Sequence, residues 1–372
     1  MIYKHILFVE DEPEQQDAFE SAIADWNTKN EETGRAFFFT VSPHVENALY
    51  NLDRLRFDGA LFDLRVKKDA ESEGRAEPAG NGLAMIALKE RGIPVAIITA
   101  DATVLDAEVR NAGKVGVFDK NPARNDIGNG YDNAVAWFGD LWGMMETLDA
   151  ARRKIESSAA DIFLKRLWPR WEAFAGLNVG DGQAIIDIVT RQYVTHIADL
   201  LGIDDPENVS WHPFENYVSP ALLSGRAHTG DIFNFDDVLW VVLSPQCDMA
   251  TKKVENVLLA KCVRGINNWD KMVDDFAKKE SKTSLEKSTN FLRLYVNQNM
   301  ESSKHFLPPL PNEAVPILVH FSAMMTMPLI QLNKDLDKRI ASISSPFLAN
   351  IIQRFGAYIS RPGQPNIDIA RL

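Results

Sequence analysis

The chain has 372 residues, 45% of them apolar and 25% charged, with a formal net charge of −12 and a mean hydropathy of −0.19. This is globular composition at a length that suggests two or three domains, each with a core of its own. Two cysteines, Cys247 and Cys262, exclude a disulfide scaffold, no apolar run reaches transmembrane length, and the start MIYKHILFVEDE lacks the charged and apolar blocks of a secretory leader, so the expected location is the cytoplasm, with no membrane partner.

In chain order, short apolar runs alternate with helical stretches. Residues 5–9 (HILFV) read as a buried strand, and residues 14–27 as a helix with Phe19, Ala22, Ile23 and Trp26 at helical spacing. Strands are expected at 37–41, 59–62 (GALF), 95–99 (VAIIT) and 116–118, with helices at 45–56, 82–89, 104–112 and 131–145. Five such units predict an α/β, flavodoxin-like, doubly wound five-stranded parallel sheet over residues 1–135.

Residues 136–205 read as a helical connector. Leu148, Ala151, Ile155, Ala159, Ile162 and Leu167 recur at a spacing of three or four. Trp137, Trp142, Trp168 and Trp171 also lie at helical spacings, which a packed core, a homodimer seam or a cover for the second domain would each explain. A helix over 184–201 ends at the turn-prone Asp204-Asp205-Pro206. From 206 to 372 the texture is α+β, with a small β-barrel as one arrangement: strands at 231–233, 238–243, 257–263 and 315–321, a charged helical stretch at 269–296, and a closing helix at 336–357.

Charge is divided unevenly. Residues 1–150 hold 15 Lys and Arg against 27 Asp and Glu, whereas the remainder is balanced at 25 against 25. A neutral second part lacks the basic excess of a nucleic-acid-binding domain, so nucleic acid is not an expected partner. There is no fixed-period repeat, low-complexity block, phosphate-binding Walker loop, Gly-x-Ser-x-Gly elbow, zincin motif or helix-turn-helix.

Ligands of doubly wound sheets bind beyond the carboxyl ends of the strands. Glu10, Asp11 and Glu12 follow the first strand, Asp63 the third, Thr99 and Ala100 the fourth, and Lys120 the fifth. Converging carboxylates repel one another unless a hard divalent cation lies between them, and Mg²⁺ is suited to a few carboxylates and water. A hydroxyl and an ammonium at the same edge could hold phosphoryl oxygens. The set reads as phosphoryl transfer to Asp63 as nucleophile.

In the segments ILFVEDEP, ALFDLR, IITA and VFDK, in that order, the chain resembles the receiver domains of two-component response regulators over about residues 1–135. The resemblance implies Asp63 as phosphoacceptor, Asp11 as direct Mg²⁺ ligand, and Glu10 as the acidic neighbour acting through water. It further implies Thr99 as the switch hydroxyl, Lys120 as the phosphate-pairing lysine, Arg65 as a carbonyl ligand of the metal, and a sensor histidine kinase as partner. Three departures stand out. The insert VKKDAESEGRAEPAG (residues 66–80) puts Asn81-Gly82 19 residues past Asp63, farther than the family places its helix glycine, and could cover the site or recognise a partner. Asn121-Pro122 follows Lys120 where the family has proline directly. Val117 occupies the aromatic switch position, with Phe118 one place later.

In the second part Cys247 stands beside Asp248 after an apolar strand, with His212, His228, His305 and His320 elsewhere. A Cys/His nucleophile or small metal site could be built from these, and a receiver-gated hydrolase or nuclease is the alternative reading. The patterns GDIF…WVVLSPQCDMA, HFLPPLP and RFGAYISRPGQPN resemble those of receiver proteins in Detocs-type phage-defence systems. That resemblance implies a phosphate sink for the kinase beside a second receiver-bearing effector, with no toxic enzyme in this chain.

Overall fold

The computed structural model describes residues 1–71, 79–120, 130–176, 182–202, 211–221 and 225–362. The contacts divide the chain into two compact units, Met1–Ile197 and Ala198–Leu372. Residues 72–78 of the insert, Asn121-Pro122, the turn Asp204-Asp205-Pro206 and the segment from Gly363 onward lie outside the described residues.

The first unit begins with β1 (Ile2–Val9), α1 (Pro13–Lys29), β2 (Arg35–Ser42), α2 (Val45–Arg54), β3 (Gly59–Asp63) and α3 (Gly80–Ile86). It continues with β4 (Val95–Thr99), α4 (Ala107–Asn111), β5 (Gly116–Asp119) and α5 (Gly130–Asp140). The five strands are parallel in the order β2-β1-β3-β4-β5, the flavodoxin-like arrangement expected. Strand alternation sorts the side chains to two faces. Leu7, Val9, Phe62, Val95 and Ile97 join residues of α2, α3 and α4 in one core, while Ile6, Phe8, Leu61, Ala96 and Ile98 join those of α1 and α5 in the other.

Next come α6 (Trp142–Ile162), α7 (Trp171–Ala175) and α8 (Gly182–Gly202). The start of α6 belongs to the core of this unit: Trp142 is 1% exposed and stacks on Trp26 at 5.7 Å. The buried Lys4 ammonium lies 3.2 Å from Asp58 and 3.3 Å from Asp149 of α6, neutralising a charge that would be costly alone. Trp137 packs edge-on against Phe118, whereas Trp168 and Trp171 are exposed. Core packing therefore accounts for two of the four connector tryptophans.

The second unit holds β6 (Tyr217–Val218), β7 (Asp231–Phe235), β8 (Val238–Val242), α9 (Gln246–Ala250), β9 (Asn256–Arg264), α10 (Trp269–Lys278) and α11 (Lys282–Val296). It ends with β10 (Lys304–Leu307), β11 (Ile317–Pro328), α12 (Leu329–Lys334), β12 (Arg339–Ile343) and α13 (Ser345–Ser360). The sheet is antiparallel in the order β10-β11-β9-β8-β7-β12-β6, with an irregularity in β11 between His320 and Met324. The α+β expectation holds. The sheet curls without closing into a barrel, since its end strands β10 and β6 do not pair with each other among the described residues.

Three helical expectations are corrected. Residues 339–343, expected inside the closing helix, form β12, because Pro346 is tolerated in the first turn of a helix but not in its interior, so α13 starts only at Ser345. The stretch 269–296 is two helices, parted where Lys279 takes a left-handed φ of 50° and Ser281 caps the next helix through the Ser284 amide. The stretch 104–112 is a 3₁₀ turn (Ala102–Val104) followed by α4, because the Asp106 amide donates to Asn81 Oδ1 and holds the chain extended there.

One ion pair, with its carboxylate fully buried and its guanidinium largely so, ties β7 to β12 in the second sheet. Asp231 Oδ2 accepts from Arg339 Nη1 at 2.9 Å and from the His228 amide at 2.7 Å, and Oδ1 accepts from Ser342 Oγ at 2.5 Å. Removing one partner leaves an uncompensated buried charge. Arg339→Met should cost about 3–5 kcal/mol in urea unfolding of the full chain, whereas loss of the exposed Lys278–Asp274 pair should leave the unfolding midpoint nearly unchanged.

Candidate functional site

The strand register delivers the acidic residues to one edge. Val9 lies opposite Phe62, Asp63 opposite Ile98, and Thr99 opposite Asp119. Glu10, Asp63, Thr99 and Lys120 therefore emerge side by side at the carboxyl ends, across the β1/β3 switch point of the strand order. Asp63, Thr99 and Lys120 line a cleft of about 630 Å³ shared with Asp11, Arg65, Lys67 and Asp101, and Glu10 lies buried behind Lys120.

Of the residues expected at the acidic site, Asp11, Asp63, Arg65, Thr99 and Lys120 line this cleft, and Glu10 is held against it by Lys120. One oxygen from each of Glu10, Asp11 and Asp63 lies within 4.8 Å of the others, the one cluster of metal-ligating groups among the described residues. Lys120 Nζ donates to Glu10 Oε2 at 2.5 Å and to Asp63 Oδ2 at 2.9 Å. Thr99 Oγ1 accepts from the Asp101 amide at 3.1 Å. Arg65 reaches Asp101 at 3.9 Å across the rim.

Glu10 is fully buried. Burial raises its pKa to about 7, against the opposing pull of Lys120 and with a further push from Asp63. Burial alone would pull the Lys120 ammonium down, but the charges and hydrogen bonds of Glu10 and Asp63 outweigh it and its pKa stands raised. Tyr131 is raised by burial and by the same carboxylates, so its phenol stays protonated and donates to Gln15 Oε1 at 2.9 Å. Hard oxygen donors carrying more negative charge than one lysine offsets suit a small divalent cation.

Two features of the site were not legible beforehand. Gly80, not Gly82, is the glycine the site requires: a Cβ on Gly80 would lie 2.1 Å from the Asp63 carbonyl oxygen, while nothing lies within 4 Å of one on Gly82. The Gly80 amide also donates to the Leu64 carbonyl at 3.1 Å, so the insert leaves and rejoins the fold at almost one point. The second feature is Lys67, whose Nζ stands 3.4 Å from Asp11 Oδ2. Its backbone carbonyl accepts from Val45 at the start of α2, which anchors the first residues of the insert beside the acids. A doublet of lysines in a polar insert was the available signal, but only the fold shows which acid it meets.

On β5 Val117 is 42% exposed, while Phe118 turns to the opposite face and packs with Trp137. Alternation along the strand keeps the phenyl ring from substituting at the place of Val117. In the second unit Cys247 is exposed, its thiol 3.7 Å from Asp248 Oδ1, and no histidine lies within hydrogen-bond reach of it among the described residues. His212 caps a 3₁₀ turn (Pro213–Asn216), His228 bonds the Thr229 carbonyl, and His305 and His320 lie on β10 and β11. The Cys/His pair is thus not assembled.

No family model matches the chain, and no curated protein matches it. Among solved structures, about the first two-fifths of the chain is similar to response regulator receiver domains. A CheY-like receiver domain from Methanospirillum hungatei JF-1 is 17% identical, with 39% of this chain and 98% of that chain covered and a TM-score of 0.29. The response regulator protein TrrA from Thermotoga maritima, in complex with Mg(2+)-BeF, is 19% identical over 37% of this chain and 98% of that one, with a TM-score of 0.24. Full-length FixJ from B. japonicum is 16% identical over 53% and 88%, with a TM-score of 0.29.

Two outcomes follow from the geometry. A cation entering between the acids must displace the Glu10 proton, so calorimetric titration of Mg²⁺ at pH 6 in buffers of different ionisation enthalpy should show proton release that Glu10→Gln abolishes. Because the folded pKa of Glu10 lies above its ordinary 4.5, the folded state holds a proton that the unfolded chain has lost. The contribution of Glu10 to stability should therefore fall as pH rises from 4.5 through about 7, with Mg²⁺ restoring it. Gly80→Ala should destabilise the first unit by about 1–3 kcal/mol through overpacking against the Asp63 backbone, and Gly82→Ala should not, as thermal melts would register.

Proposed function

We propose that this chain is a phospho-accepting receiver protein of a bacterial two-component-type signalling system, with a receiver over 1–135, a connector over 136–205 and a further domain over 206–372. The observation that carries the reading is Lys120 bridging Glu10 and Asp63 beside Asp11 and Thr99. The Asp63 carboxylate attacks the phosphorus of a phosphohistidine on a sensor histidine kinase. An O–P bond forms, the P–N bond breaks, and its electron pair stays on the imidazole nitrogen, which takes a proton. Lys120 moves its contact from the carboxylate toward the incoming phosphoryl oxygens, and the Thr99 hydroxyl, turning its proton away from the Asp101 carbonyl, donates to another. Glu10, Asp11, Asp63 and the Arg65 carbonyl would hold Mg²⁺, which supplies charge neutralisation as the phosphoryl group is transferred.

The finer reading is a phosphate sink in anti-phage defence, drawing phosphoryl groups from the kinase in competition with a second receiver-bearing effector. It rests on the C-terminal patterns and on the second unit, where no histidine lies within hydrogen-bond reach of Cys247 among the described residues. Exposed Trp168 and Trp171 support a homodimer as its working form. No helix among the described residues is long and apolar enough to cross a membrane.

Intact-protein mass after incubation with Mg²⁺ and a small phosphodonor tests the central step. One phosphoryl group should add to the wild type and none to Asp63→Asn, and Lys120→Met should label at least ten-fold more slowly. Labelling that survives Asp63→Asn would overturn the assignment.

A further inference from the structure

The second unit contains a cleft of about 670 Å³ with a chemistry opposite to that of the acidic site. Two sequence stretches that the receiver reading leaves unused, around Trp211 and around His305, meet there. Its walls include Trp211, Trp269 and Phe347, and its polar lining includes Asn216, His305 and Asn350. The ring of Trp211 stands edge-on to Phe347 at 5.6 Å, and that of Trp269 is tilted against Phe306 at 5.3 Å. The volume lies within the range of small-molecule sites.

Three observations narrow the occupant. None of the described residues lining the cleft carries a formal charge. His305 is 3% exposed and its Nδ1 has no hydrogen-bond partner, an uncommon state for a buried polar atom in a folded protein. Burial and the neighbouring Arg354 charge push the His305 pKa down to about 3, so the ring is neutral and offers one donor and one acceptor. The side-chain amides of Asn216 and Asn350 make no hydrogen bonds among the described residues and add both kinds of group. By contrast, Gln298 is committed to the wall, its amide exchanging two hydrogen bonds with the Phe306 backbone at 2.8 and 2.9 Å.

We propose that this cleft is a binding site for an uncharged planar heterocycle of the nucleobase or nucleoside class. The indole and phenyl surfaces of Trp211, Trp269 and Phe347 receive the ring, and the edges of His305, Asn216 and Asn350 read its donors and acceptors. Stacking on aromatic side chains suits any base, and the amide groups supply selection among them. An uncharged lining gives a phosphate group no partner, so the nucleoside rather than the nucleotide is the ligand class.

The test is titration of the full-length protein with adenosine, guanosine, cytidine and uridine, read by tryptophan fluorescence and by ligand-observed NMR. At least one nucleoside should bind saturably, its monophosphate no more tightly. Trp211→Ala and the exposed Asn350→Ala should each weaken binding at least ten-fold while the thermal melt is unchanged. Should Trp211→Ala fail to fold, Asn350→Ala, on the outer surface of α13, decides alone. The proposal is overturned if none of the four binds saturably to millimolar concentration, if binding persists at full strength in Asn350→Ala, or if the monophosphate binds more tightly. Binding of a proline-rich peptide in place of any nucleoside would overturn it equally. None of these outcomes depends on phosphorylation of Asp63.

Discussion

The first unit depends on one ammonium holding apart carboxylates that the sheet forces together. Glu10 is fully buried and Asp63 nearly so, and Lys120 lies within 2.9 Å of both. A buried carboxylate without a counter-charge is among the costliest features a fold can contain. Lys120 offsets part of that cost, and a proton on Glu10 offsets more, which is why burial leaves this acid with a pKa near neutrality. The remaining negative charge suits the cleft to a small divalent cation.

That balance depends on where the backbone places each charged group, and the surrounding fold sets those positions. Asp63 is the last residue of a strand buried along its whole length, so its Cα cannot shift without moving both cores. Gly80 brings α3 directly onto the Asp63 backbone, which routes the long insert out from a single point and spares the strand end. Asn81, buried beside it, ties α3 to Val104 and Asp106 through both ends of its amide. Lys67 then places a second cation at the outer acid, Asp11, where it is half-exposed and able to yield.

The second unit solves the same problem by another route. Its buried acid, Asp231, is fully matched by Arg339, Ser342 and the His228 amide, so it has no unmet demand for a ligand. The unmatched polar groups are instead the neutral imidazole of His305 and the amides beside it. Charge satisfaction thus separates a structural cluster from two candidate sites: surplus negative charge in one unit, surplus neutral hydrogen-bonding capacity in the other.

Strand periodicity made the five parallel strands and their order of acids, hydroxyl and lysine legible from residues alone, because a fully buried strand is a short continuous apolar run and its carboxyl end is the next polar residue. The same reasoning failed at 339–343, where a five-residue strand is indistinguishable from a helix segment until its partners β7 and β6 are known. Gly80, Lys67 and the His305 cleft were equally closed to it, since each depends on what a residue far away in sequence places within contact distance. By itself the sequence determined which chemical groups end each strand, through local periodicity. Only the tertiary structure decided which of those groups meet, which stay buried without a partner, and hence where this protein has charge or hydrogen bonds left to offer.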